Sequence, residues 1–208
     1  MKKTIIDKVN KYYTEKIKLN GDNSLGVDWN SHETHVLRFF QLSKLIEFKQ
    51  DFSILDYGCG YGALVDYLNE NDYNNYEFYG YDISNEMIKR GKEKYKKKNI
   101  VFGTDINTFN KNKFDYVIAN GIFNVKLDTE INKWKEYVLQ TITEFDKISN
   151  KGFAFNILTS YSEEPFMKDY LYYADPLFIF DFCKKNFSKR VALLHDYPLY
   201  EFSIIVRK

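Results

Sequence analysis

The sequence predicts an α/β protein built on a Rossmann-like sheet of seven strands, mostly parallel, with an antiparallel C-terminal strand and helices on both faces. Three observations carry that expectation. Residues 53–57 read as a buried strand that runs into Gly58, Gly60 and Gly62 and then into helically spaced apolar residues over 63–68. From there to residue 158 strand and helix patterns alternate, as they do where crossover helices cover a parallel sheet. Finally, residues 190–195 and 199–206 read as two closing strands about Asp196-Tyr197-Pro198, a hairpin.

A chain of 208 residues is about one domain's worth, here divided into a helical segment over 1–50 and the sheet domain over 51–208. Thirty basic against 29 acidic residues leave a net charge of +1, which gives no global field toward nucleic acid or an anionic membrane. Cys59 and Cys183 make neither a disulfide framework nor a metal cluster. Charges interrupt the first eight residues where a signal peptide needs an apolar run, and no stretch approaches membrane-spanning length. The expectation is a soluble cytoplasmic protein, monomer or homodimer, whose partner is a small molecule.

Over 2–18, Ile5, Ile6, Val9, Tyr12, Tyr13 and Ile17 recur at mostly helical spacing, and this aromatic stripe reads as packing. After a polar loop, Ser31 is a plausible N-cap for a helix through Ile46. His32 and His35 lack the i, i+4 spacing that turns two imidazoles toward one ion, so no metal is expected. Arg38 offers a rigid fork suited to a carboxylate.

The glycine turn sets the cofactor. Gly58 and Gly60 let a ligand lie against the main chain, and the following helix points unpaired N–H groups at it. Gly58-x-Gly60-x-x-Ala63 with Asp82 downstream also satisfies a relaxed dinucleotide fingerprint, so a nicotinamide oxidoreductase is an alternative. Asp56 separates the two. Its carboxylate would repel a pyrophosphate and attract a cation, which suggests S-adenosylmethionine (SAM), a sulfonium and ammonium without phosphate. Asp82, with Ile83 beside it, closes a strand over 76–82 where a carboxylate can accept from both ribose hydroxyls.

Ser84 caps a helix over 85–98, whose terminal lysines read as a solvated end rather than a nucleic-acid patch. Strands follow over 100–106 and 114–125, a helix over 132–148, a turn at 150–152 and a strand over 153–158. Residues 160–176 have no clean period and are crowded with tyrosines, which makes them the expected acceptor pocket; a helix over 177–186 precedes the closing hairpin.

Leu55-Asp56-Tyr57-Gly58-Cys59-Gly60-Tyr61-Gly62 resembles the first motif of the class I SAM-dependent methyltransferases, and the order of motifs from Ile54 to Val206 is similar to their sheet. The resemblance implies a cofactor site of Asp56, Gly58, Cys59, Gly60, Asp82 and Ile83. It adds Asp105 and Ile106 against adenine, Asn120-Gly121 as the fourth motif, and Trp29, Asn30 and Arg38 on a lid formed by 1–50. The prolines of the DNA and protein amide methylators are missing after Asn120. Gly26-Val27-Asp28-Trp29-Asn30-Ser31, residues 120–126, 158–161 and 171–176, and Leu194-His195-Asp196-Tyr197 also resemble bacterial methyltransferases from capsule and surface-polysaccharide gene neighbourhoods. That implies an oxygen acceptor on a sugar, or a capsule-related phosphoramidate, with S-adenosylhomocysteine (SAH) as the other product. Acceptor contacts are expected from Tyr161, Tyr172 and Asp175, and the candidates for a base are His32, Tyr161 and His195. A SAM-binding module that transfers nothing is the third reading.

Overall fold

Strands buried on both faces build the sheet. Along β1 (Phe52–Tyr57) Ile54 and Leu55 are both fully buried but join different hydrophobic clusters, and β4 (Phe114–Ala119) divides Tyr116 and Ile118 from Val117 and Ala119 in the same way. A strand buried on both faces needs helices on both, and the chain supplies them. The computed structural model describes residues 2–47 and 50–208, of Lys2 and Lys3 only the backbone. The expected boundary at residue 50 adjoins Phe48 and Lys49, which, like Met1 at the chain start, lie outside the described residues.

The strands order as β3 (Ile100–Gly103), β2 (Tyr76–Tyr81), β1, β4, β5 (Ser149–Thr159), β8 (Glu201–Arg207) and β7 (Arg190–Leu194). All neighbours pair in parallel except at β8, which runs antiparallel to β5 and β7. Helices α2 (His32–Ser43), α3 (Ala63–Glu70) and α4 (Asn85–Lys94) cover one face, while α5 (Ile131–Ile148) and α6 (Pro176–Asn186) cover the other. Helix α1 (Lys2–Asn20) crosses the C-terminal ends of the strands and packs Ile17 against Tyr61 and Met87.

The expected elements are present, but the helix expected through Ile46 ends at Ser43 and the strands expected over 100–106 and 114–125 end at Gly103 and Ala119; three further differences have a clear physical cause. The α4 helix stops at Lys94 because Tyr95 turns its ring onto Phe102, centroids 5.9 Å apart, leaving residues 96–98 outside the helix. The turn expected at 150–152 is strand: Gly152, at φ +152°, lies where a Cβ would come within 2.2 Å of the Val206 carbonyl, so glycine lets β8 pair closely there. Third, an eighth strand, β6 (Tyr173–Ala174), adds to the end of β5 inside the stretch read as irregular.

Sheet order carries the function. The chain winds from β1 outward to β3 and returns to the other side through β4, so the loops after β1 and β4 diverge and open a crevice at the carboxyl ends of the strands.

Candidate active site

The turn after β1 fills one wall of that crevice. Gly58 and Gly60 take φ of +82° and +54°, a region that side chains rarely enter. The N–H groups of Gly58 and Cys59 donate to the Tyr81 carbonyl at 2.7 and 2.9 Å, fastening the turn to the end of β2. Asp82 continues this: its carboxylate accepts from Gly60 N at 3.0 Å and from Ser84 N at 2.8 Å, and Ser84 caps α4 through Met87 N.

A first cavity lies against this turn. Asp56, Gly58, Cys59, Gly60, Asp82, Ile83, Asn120 and Gly121 all line it, together with Trp29. Two of these groups are acidic with no cation beside them. Burial, and then the charge of Asp82, push the Asp56 carboxyl up to about 8; burial lifts Asp82 to about 6 against the pull of its two backbone donors. Among the described residues no donor reaches the Asp56 carboxylate, and both side-chain atoms of the Asn120 amide are buried without a partner. An orphaned amide, glycines that admit a ligand to the main chain and two carboxyls whose ionisation a cation favours and a phosphate disfavours fit a cationic adenosine compound better than a pyrophosphate. Burial pushes the Cys59 thiol well above its ordinary value, so its part in the lining is steric.

Sequence reasoning expected a lid from residues 1–50 but missed which side chains of α1 and α2 line the cavity. Val9 and Tyr13 line the first cavity, so part of the stripe read as packing faces the site. Their i, i+4 spacing, continued by Ile17, was the available signal. Helix α1 is tied down by Thr14 Oγ1 to Ser84 Oγ at 2.7 Å, Lys8 to Asp128 at 2.7 Å, and Tyr12 and Lys16 to Asp28 at 2.7 and 2.6 Å. His35 also lines the cavity, between Trp29 and Phe39; burial and the nearby charge of Arg38 hold its pKa at about 3, so it is neutral.

Beyond α1 a second, more polar cavity opens, and it shares Tyr13, Val27 and Trp29 with the first. Arg38 and Asn30 stand on this one. Arg38 donates from Nε to Glu201 Oε2 at 2.9 Å and from Nη1 to the Thr34 carbonyl at 2.8 Å, while its guanidinium lies 3.8 Å from the centroid of the Trp29 ring. The 160–176 stretch lines the second cavity as expected, but through Ser162, Phe166, Lys168, Tyr170, Leu171 and Tyr173.

The named candidates of that stretch sit elsewhere. Tyr172 is 6% exposed and packs in the core, because neighbours in the extended run 171–174 point to opposite sides. Asp175 caps α6 by accepting from Leu177 N and Phe178 N at 2.8 and 3.2 Å. Tyr161, 67% exposed, meets His195 ring to ring at 5.9 Å outside both cavities, and His32 is exposed on the first turn of α2. Asp105 caps a 3₁₀ turn through Asn107 N at 3.0 Å, and Ile106 packs on the core; neither lines the first cavity.

A Rossmann-like sheet with a cavity at its switch point defines the class of protein that binds a ligand at the carboxyl ends of its strands, and the acidic lining suits a cation better than a phosphate. Comparison with known proteins gives the family. The profile described as a methyltransferase domain matches residues 48–167, and the chain belongs to that family. It is 42% identical over 168 residues, 79% of this chain and 98% of the other, to Rv1506c of Mycobacterium tuberculosis, provisionally named a methyltransferase. Magnesium protoporphyrin IX methyltransferase from Synechocystis, solved with bound SAH, is similar in fold: TM-score 0.64, 17% identity, 100% of this chain and 99% of that one. A SAM-dependent methyltransferase of Leishmania major aligns with TM-score 0.66 at 12% identity over 98% of this chain and 82% of that one. The protein is a SAM-dependent methyltransferase.

Proposed function

We propose that the first cavity holds SAM and the second holds a small-molecule acceptor. The observation that carries this is the common wall: Tyr13, Val27 and Trp29 border both spaces, so an acceptor atom in one can face a methyl group held in the other. SAM supplies an electrophilic methyl and leaves as the neutral thioether SAH. Residues of the chain supply placement, worth potentially several kcal/mol of the barrier. Asp56 faces the positive charge of the cofactor, Asp82 the ribose hydroxyls, and the Asn120 amide a polar group of the same ligand. Helix α1 with the loop to Trp29 forms a lid over them.

The acceptor is an oxygen of a sugar or of a capsule-related phosphoramidate, a reading supported by the resemblance of residues 26–31, 120–126 and 171–176 to methyltransferases of surface-polysaccharide neighbourhoods. Charge in the second cavity favours the phosphoramidate. Lys168 lines it without an ion pair among the described residues, while Arg38 is paired with Glu201 and the lining carboxylate, Asp28, already accepts from Tyr12 and Lys16. A sugar hydroxyl needs a base, and an anionic oxygen does not. The test is SAH formation from SAM with each acceptor class in turn. Turnover of a phosphoramidate but not of neutral sugars is expected; turnover of neutral sugars alone overturns the preference for the phosphoramidate, and SAM binding with turnover of neither class overturns both acceptor readings.

A further inference from the structure

Arg38 and Glu201 form a buried ion pair, their side chains 9% and 0% exposed, and such a pair is costly to desolvate unless further hydrogen bonds complete it. What completes it leads out of the second cavity toward the first. Glu201 Oε1 accepts from Asn156 Nδ2 at 2.9 Å, and Asn156 Oδ1 accepts from the Gly121 N–H at 2.7 Å. That N–H belongs to the peptide plane joining Asn120 to Gly121. Because the plane is rigid, holding the N–H also fixes the direction of the Asn120 carbonyl. Gly121 sits at φ +77° with the Trp29 ring pressed on it, and Trp29 stacks in turn on Arg38. The two connections between Arg38 and Gly121, one polar and one through the ring, close a loop drawn from four separated parts of the chain.

We infer that Arg38, Glu201 and Asn156 are positioning residues that set the peptide of Asn120 and Gly121 against the cofactor, so that Arg38 governs cofactor affinity from the second cavity without touching the cofactor. This rests on the reading of the first cavity as the SAM site.

The experiment is a double-mutant cycle on the full chain, with SAH affinity read by titration calorimetry and folding by the thermal midpoint. Arg38→Lys and Asn156→Ala are each expected to weaken SAH by about tenfold, and the double variant to be no weaker than the worse single, because both break one relay. The Gly121 amide proton should exchange faster in Arg38→Lys, which a packing role confined to α2 does not require. Glu201→Gln replaces either variant that does not fold. Unchanged affinity in a folded Arg38→Lys protein, or losses that simply add, overturns the inference. A wild-type protein that ignores SAH overturns the cofactor reading of the cavity instead.

Discussion

Asp56 illustrates how one buried carboxylate can serve binding at the expense of the unliganded protein. Its folded pKa, about 8, lies above the ordinary 3.8, so between those values the folded chain holds a proton that the unfolded chain has lost. Stability of the protein without cofactor should therefore fall as pH rises from about 4 toward 8, and SAM affinity should rise over the same window as the ionised form meets the cation. Thermal midpoints of wild type and Asp56→Asn across pH 5 to 8.5 check this. The variant should show a flatter profile and weaker SAM binding, and a wild-type profile no steeper than the variant's rejects it. At Asp82 the expectation is loss of charge-assisted hydrogen bonds, about 1.5–3 kcal/mol each, so Asp82→Ala should bind SAM at least tenfold more weakly while still melting cooperatively. Unchanged affinity would refute the ribose assignment.

At the scale of elements, the proposed lid makes α1 and the loop after β4 the parts that would enclose the cofactor. Ile17 is fully buried between α1 and the residues at the heads of α3 and α4, and truncating such a side chain costs about 2–5 kcal/mol. Ile17→Ala should loosen α1 alone: its amides should exchange faster while those of β1 and β4 stay protected, and SAM should dissociate sooner. Equal loss of protection in the sheet would show that α1 is part of the central fold. The loop after β4 turns at Gly121, where an added Cβ would stand 2.4 Å from the Trp29 ring. Gly121→Ala adds left-handed strain of about 1–2 kcal/mol and should displace Trp29, with a changed fluorescence and weaker cofactor binding as readouts.

Across the whole molecule, binding to the folded state alone raises stability by mass action, about 2.7 kcal/mol at a hundredfold excess over Kd. For a chain of 208 residues that is a midpoint shift of about 5–10 °C with SAM, and none is expected with NADH, whose pyrophosphate meets Asp56. Protection by NADH and not by SAM would reverse the assignment. Among the described residues no helix is long and apolar enough to cross a membrane.

The order of elements and the cofactor were legible in the sequence because both rest on neighbours along the chain. Glycines that alone tolerate positive φ, a carboxylate two residues before them and another at the next strand end act within a single turn, and alternation of period 2 and 3.6 announces a parallel sheet. The acceptor side was not, because it depends on register and on partners far apart. Whether Tyr172 or Tyr173 faces the cavity follows from a two-residue strand that forms only when β5 is present to pair with it. Arg38, free to be read as a carboxylate fork in isolation, meets Glu201, 163 residues away, only in the folded chain. Local backbone chemistry thus determined the cofactor; long-range packing decided which side chains line the second cavity.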